Sequence, residues 1–390
     1  MRILHVGKYY PPARGGMESY LRDLAVAQRR RGDEVFVLAH VEGFGCAGRS
    51  EVVDGGVRLR RVRTFGQLLY APVAPGFGFE MWRAIREFRP DVLHLHMPDT
   101  SAFWALWPCR VPMVVHWHSD VLAAASDRLL RPAYALYRHF EAALLRRADA
   151  VIATSAAYAE ASRPLAPVMD KVHVVPLGLD EGRMRRVDAE TVVAVRERYG
   201  VGEGQCLVAA VGRFAHYKGF HVLVEAATGL RDCVVVIVGD GPDRDGVARR
   251  VAELGLTGRV LLPGALPDAD LHALFAACDV FCLPSLLRTE AFGVVLLEAM
   301  QYGRPLVCSD IPGSGVGFVN ADGQTGLGVV PGDAAALRGA LQRLVDDAAL
   351  RERMGEAGRR RFAQMFRIDA SAGGVANVYA SVVRGAGARR

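Results

Sequence analysis

The chain has 390 residues, 51% hydrophobic and 23% charged, enough apolar material for two globular cores and too little bias for a disordered, collagen-like or disulfide-scaffold protein. The formal net charge of +6 comes from the first half, where Arg29-Arg30-Arg31 and Arg58, Arg60, Arg61 and Arg63 cluster. Such a face can attract anionic lipid or nucleic acid, but no nucleic-acid-binding motif accompanies it.

In chain order, Met1-Arg2-Ile3-Leu4-His5-Val6-Gly7 reads as a strand running into a turn, not as a secretory leader, and no run of about 18 apolar residues follows. The expected location is the cytoplasm. Ile3–Val6, Glu34–Ala39, Val92–His96, Met113–His116, Val151–Thr154 and Val172–Pro176 are predicted strands, with predicted helices at Tyr20–Arg31 and Leu130–Arg147. A polar stretch, Leu177–Arg198, precedes a second series. Its predicted strands are Leu207–Val211, Val234–Val238, Val260–Leu262, Val280–Leu283, Pro305–Cys308 and Gly326–Val329. Helices are expected at Phe220–Gly229, Arg244–Leu254, Asp268–Ala277 and Val294–Gln301, and a terminal one near Ile368–Arg384. Alternating strands and helices imply parallel sheets, here two doubly wound α/β domains with a boundary near residue 180. The seven cysteines (46, 109, 206, 233, 278, 282, 308) form no C-x-x-C pair and read as reduced, mostly buried thiols.

The segment Glu290-Ala291-Phe292-Gly293-Val294-Val295-Leu296-Leu297-Glu298 carries the most chemistry. It sets two carboxylates around the start of an apolar helix, which predicts that both are buried and need partners. N–H groups at that helix start suit an anion. Acids beside an anion site suit a ligand with phosphate at one end and hydroxyls on both sides, such as a nucleotide sugar. Arg213 and Lys218 follow the first strand of the second series and offer cations for a diphosphate. Gly15-Gly16 after the first strand could let backbone approach a phosphate, although the loop lacks the G-x-G-x-x-G fingerprint and an ordinary tight turn explains it equally well. His118, in His116-Trp117-His118-Ser119-Asp120, lies just past a strand; His94, His96 and His116 look like strand residues. No ligand-spacing motif supports a metal here, and none is expected.

These residues resemble the retaining glycosyltransferases of the GT-B fold, family four, the glycosyl transferases group 1. The resemblance rests on the Glu290–Glu298 segment, backed by Gly15-Gly16, His118, Val211-Gly212-Arg213, Lys218-Gly219, Val238-Gly239-Asp240-Gly241-Pro242 and Asp279-Val280-Phe281-Cys282-Leu283-Pro284-Ser285. It implies two Rossmann-like domains with a cleft between them, 1–180 on the acceptor side with a crossing helix at about 368–384, and 181–367 for the nucleotide sugar. It further implies that Arg213, Lys218 and the Gly16 N–H meet the donor diphosphate. Glu290, beside the N–H groups of Phe292, Gly293 and Val294, would take the transferred sugar, Glu298 the ribose, backbone near Leu266 the base, and His118 the sugar and leaving group. Pro176-Leu177-Gly178 departs from the family, which usually has Asn before that glycine.

The expected reaction is transfer of a hexose-type sugar from a nucleotide-diphosphate donor, without metal or cofactor, to a lipid-linked or oligosaccharide acceptor in cell-surface polysaccharide synthesis. Asp310-Ile311-Pro312-Gly313-Ser314-Gly315-Val316 is similar to mannosyl- and rhamnosyl-type members and favours a GDP-sugar. The basic first half is compatible with peripheral contact on an anionic membrane, at the inner face of the inner membrane. The rivals are a nucleotide-sugar epimerase and a non-catalytic nucleotide-sugar binding protein.

Overall fold

The computed structural model describes residues 1–43, 50–69, 71–107, 109–121 and 130–388. Cys46 lies outside them; the other six cysteines are buried and unbridged. The chain divides into two compact units, Met1–Gly178 with Ile368–Arg390, and Leu179–Arg367.

The first unit contains strands β1 (Arg2–Val6), β2 (Glu34–His40), β3 (Ser50–Asp54) and β4 (Val57–Val62), a short pair β5 (Gln67–Leu68) and β6 (Ala71–Pro72), then β7 (Val92–Met97), β8 (Met113–Trp117), β9 (Ala150–Ala153) and β10 (Val172–Val174). Its helices are α1 (Gly16–Arg30), α2 (Phe77–Phe88), α3 (Leu130–Arg147) and α4 (Ala156–Ala161). Eight strands form one sheet in the order β10-β9-β8-β7-β1-β2-β4-β3. Only the β3–β4 pair in it is antiparallel. The near-continuous burial of β1, β7 and β8 is what a parallel sheet covered on both faces requires.

The second unit contains β11 (Cys206–Val211), β12 (Cys233–Val238), β13 (Val260–Gly264), β14 (Val280–Leu283), β15 (Leu306–Ser309) and β16 (Gly326–Val329). Its helices are α5 (Ala189–Arg198), α6 (Phe220–Ala227), α7 (Arg244–Glu253), α8 (Asp268–Ala277), α9 (Val294–Gln301), α10 (Val316–Val319), α11 (Ala334–Asp346) and α12 (Ala348–Met365). The all-parallel order β13-β12-β11-β14-β15-β16 reverses direction between β11 and β14, the switch point at which such sheets bind ligands beyond their carboxyl ends. The last helix, α13 (Ile368–Ala388), belongs to the first unit, where it packs on α1. There the Ser371 and Tyr20 hydroxyls lie 2.9 Å apart, and Ser371 donates to the Pro176 carbonyl at 2.8 Å.

The structure differs from the sequence reading in several places. Helix α1 begins at Gly16, a turn earlier than expected. The polar stretch before residue 198 holds α5, whose start is capped by Asp188 accepting from the Thr191 N–H at 2.7 Å. The basic run at 58–63 is not a free charged face. Arg60 is fully buried and pairs with Glu87 at 2.6 Å, Glu80 at 3.3 Å and Glu51 at 3.6 Å. Arg58 pairs with Glu51, and Arg61 donates to the Pro11 carbonyl at 2.5 Å.

Removing one side of a buried ion pair leaves charges without partners. Arg60→Ala is therefore expected to lower the free energy of unfolding by about 3 kcal/mol, the lower end of that range because the glutamates keep some solvent. Urea titration of the variant checks this, and a loss typical of a surface arginine contradicts the reading.

Candidate functional site

In the second unit the loops leaving β11 and β14 meet at the switch point. Lys218 ends the first loop and Glu290 lies in the second. Both are buried, and Lys218 Nζ donates to Glu290 Oε2 at 2.5 Å. Ser285 Oγ donates to the same carboxylate oxygen at 2.9 Å. Ser314 Oγ donates to the Glu290 backbone carbonyl at 2.5 Å, so the residue is gripped at both ends. Burial alone would lower the Lys218 pKa, but the Glu290 carboxylate and the nearby Tyr217 outweigh it and hold the ammonium above its ordinary value. The cation is thus already paired, and a ligand entering here meets a Lys–Glu pair.

Two glycines permit this arrangement. Gly219 has φ 67°, and a Cβ there would come within 2.0 Å of the Pro284 carbonyl oxygen, so only glycine lets the β11 loop lie on the β14 loop. The Leu286 N–H donates to the Tyr217 carbonyl at 2.6 Å across the same seam. Gly293, at φ 78°, turns the chain into α9 immediately after Glu290-Ala291-Phe292. The N–H groups of Val294 and Val295, which open α9, are consequently near Glu290 along the chain, while that of Leu296 already donates to the Gly293 carbonyl at 2.9 Å.

The other expected residues take different positions. Arg213 lies exposed on the same loop as Lys218, and Leu266 sits in the loop between β13 and α8. Glu298 is one turn into α9 and only half-buried, against the expectation of a buried carboxylate. The flanking Leu296, Leu297, Ala299 and Met300 point to the core, and Glu298 occupies the remaining outward stripe. Ser285 and Ser314 are the polar partners that sequence reading passed over. Both stand inside quoted motifs, but a serine in a loop gives no signal of which carboxylate it meets.

In the first unit Gly16 opens α1, and the preceding Gly15 is exposed. Glu18 of the first turn folds back so closely that a Cβ on Gly15 would sit 2.1 Å from its Oε2. Burial raises the Glu18 carboxyl above the usual carboxylate range. An acid therefore lies beside the helix start whose Gly16 N–H the resemblance assigns to the donor diphosphate.

His118 belongs to a larger array. His5 of β1 is in register with His94 of β7, and His96 of β7 with His116 of β8. Strand alternation puts these four and His118 on one face, beside Tyr20 and Gln28 of α1 and Tyr379 of α13. His94 and His116 stack at 5.3 Å and 3°, His116 and His118 at 4.3 Å and 6°, and His96 and His118 at 5.2 Å and 15°. Ring nitrogens of His5, His94 and His96, and of His96, His116 and His118, lie within 4.8 Å of one another. His96 belongs to both triples and already engages a neighbouring imidazole with each ring nitrogen, at 3.0 Å and 2.9 Å, so an ion in either triple would have to displace one of those contacts. Burial instead keeps the rings neutral: it lowers His5 to about 4 and His118 to about 3, and His94, His96 and His116 well below 6.5.

Residues 15–178 match the Glycosyl transferase 4-like domain, and residues 194–361 match Glycosyl transferases group 1. The O-antigen chain mannosyltransferase C of Escherichia coli is 33% identical over 98% of this chain and 99% of its own. A D-rhamnosyltransferase of Pseudomonas aeruginosa is 32% identical over 94% of this chain and 92% of its own. Among solved structures, sucrose-phosphate synthase from Thermosynechococcus elongatus has a TM-score of 0.80 at 24% identity, covering 98% of this chain and 99% of that one. Anabaena HepE in complex with UDP-glucose has a TM-score of 0.73 at 22% identity, covering 98% and 100%.

The imidazoles fix the sign of a pH effect. They are depressed in the folded state, so the unfolded chain binds more protons below 6.5. Stability is greatest above that pH and falls between it and about 3, the folded value of His118, by up to about 1.4 kcal/mol per pH unit for each imidazole. His116→Phe keeps the stack and removes one titrating group, so its denaturation midpoint should decline less steeply between pH 6.5 and 5. Parallel slopes for variant and native protein reject this.

Proposed function

The chain belongs to the glycosyl transferases group 1 family, with the GT-B fold, and we propose that it moves a hexose-type sugar from a nucleotide-diphosphate donor to a lipid-linked or saccharide acceptor, with retention of configuration and without a metal. The observation that carries this reading is the Lys218–Glu290 pair at the β11/β14 switch point. In a nucleotide sugar the anomeric carbon adjoins the diphosphate, so sugar hydroxyls and phosphate oxygens arrive side by side. A paired ammonium and carboxylate suit that ligand: the ammonium takes the phosphate and the carboxylate takes hydroxyl protons.

As the glycosidic bond breaks, negative charge grows on the leaving phosphate oxygen. Lys218, Arg213 and the opening N–H groups of α9 are the groups of this chain that stabilise it, with Gly16 offering a further N–H. Glu290 orients the transferred sugar, Glu298 the ribose and the Leu266 backbone the base; His118 serves the sugar side. The half-buried position of Glu298 suits a ligand arriving from solvent. The E. coli and P. aeruginosa relatives are named as a mannosyltransferase and a rhamnosyltransferase, which supports a GDP-sugar donor and a role in cell-surface polysaccharide synthesis.

Lys218→Ala and Glu290→Ala are each expected to cut transfer by on the order of 10²–10³ while the protein stays folded, as for loss of one stabilising contact in a transition state. Near-native turnover in either variant overturns the assignment. Thermal shifts with UDP-, GDP- and ADP-sugars identify the donor. Conversion of donor with no acceptor present would indicate the epimerase instead.

No described helix is long and apolar enough to cross a membrane. Contact with a membrane would be peripheral and electrostatic, at the cytoplasmic face, and would draw on basic residues other than the internally paired Arg60. Co-sedimentation with phosphatidylglycerol vesicles should therefore weaken as salt rises; binding indifferent to salt and lipid charge contradicts it.

A further inference from the structure

Three of the histidines form a directed chain. His5 Nε2 lies 2.7 Å from Gln28 Oε1, His5 Nδ1 lies 3.0 Å from His96 Nε2, and His96 Nδ1 lies 2.9 Å from His118 Nε2. All four side chains are buried. A neutral imidazole has one N–H and one lone pair, so each contact must join a donor to an acceptor. An amide oxygen only accepts. His5 therefore carries its proton on Nε2 and accepts at Nδ1, which obliges His96 to donate from Nε2 and accept at Nδ1. His118 must then donate from Nε2, leaving Nδ1 as a bare lone pair.

The opposite pattern is self-consistent only if the Gln28 amide turns over. Its NH2 would then donate to His5, every proton in the chain would move to the other nitrogen, and His118 Nδ1 would become a donor. In the observed orientation the Gln28 NH2 donates to the Tyr379 hydroxyl at 3.2 Å, and that hydroxyl contacts His94 Nδ1. His118 Nδ1 is buried and has no partner among the described residues. An unfilled acceptor on a buried ring is costly unless something donates to it.

We infer that Gln28, acting through His5 and His96, holds His118 as the Nε2–H tautomer, so that its Nδ1 accepts from a neutral donor group, a sugar hydroxyl, and not from an anionic oxygen. Gln28, His5 and His96 are positioning residues. The tautomer follows from the orientation of the Gln28 amide and the three nitrogen contacts; the hydroxyl rests on the glycosyl-transfer reading above. Neutrality of the chain is consistent with the lowered pKa values of all three imidazoles.

The test uses full-length protein with 15N-labelled histidine at neutral pH, read by two-bond proton–nitrogen correlation and assigned with His118→Asn. Native His118 should show a protonated Nε2 and an unprotonated Nδ1. Gln28→Met, which removes the fixed acceptor, should yield a mixture of tautomers and roughly tenfold lower kcat. Gln28→Glu, which keeps an oxygen there, should restore the native pattern and most of the rate. A proton on Nδ1 in the native protein overturns the inference without any variant, and so does a native pattern in Gln28→Met. GDP-mannose, but not GDP, should shift the His118 Nδ1 resonance. Binding registered as a thermal shift by GDP-mannose with Nδ1 unmoved removes the hydroxyl assignment. If no sugar nucleotide binds, that assignment falls with the functional reading, while the tautomer result stands on its own spectrum.

Discussion

A buried ammonium and a buried carboxylate persist only because each supplies what the other lost on leaving water, and Lys218 and Glu290 impose that condition on everything around them. Their contact requires two loops from separate strands to approach within hydrogen-bond distance. That approach requires Gly219 against the Pro284 carbonyl, the Tyr217–Leu286 backbone bond and the turn at Gly293. The order of the sheet brings β11 and β14 together although β12 and β13 lie between them in sequence. Packing, topology and charge therefore converge on a single residue, whose carboxylate accepts from Ser285 and whose backbone carbonyl accepts from Ser314.

The first unit solves a different problem with neutral groups. Five imidazoles on one sheet face would be intolerable if charged, and burial keeps the protons off. What remains is a set of donors and acceptors whose pattern is decided at a distance, by one amide on α1. Rigid backbone register aligns the rings, because adjacent parallel strands bring His5 beside His94 and His96 beside His116.

Much of this was legible in the chain because apolar runs of four to six residues have few alternatives to strands in parallel sheets. The strands β1, β7, β8, β11, β12 and β14 were visible that way, while Glu290 drew notice beside an apolar run and Lys218 as a cation just past a strand. Strand β4 was not visible, since Val57-Arg58-Leu59-Arg60-Arg61-Val62 looks like a solvated basic run until Glu51, Glu80 and Glu87 arrive from elsewhere to bury Arg60. Glu298 misled in the opposite direction: its apolar neighbours suggested burial, but an eight-residue helix still keeps one stripe outward. The histidine array was hidden for a third reason. Each ring alone looked like a strand residue, and only the cross-strand register, which local sequence does not encode, joins them into a chain.

The placement of α13 has a consequence for how the molecule is made. Tyr379 and Ser371 stand on α13, yet they close over Gln28, His94 and Tyr20, whose segments leave the ribosome long before it. The second unit, Leu179–Arg367, is synthesised whole before that helix exists. The usual order of vectorial folding, N-terminal domain first, is therefore inverted for completion: the later unit can finish while the earlier one waits with its histidine face uncovered. Synthesis of α13 is the step that seals the first unit.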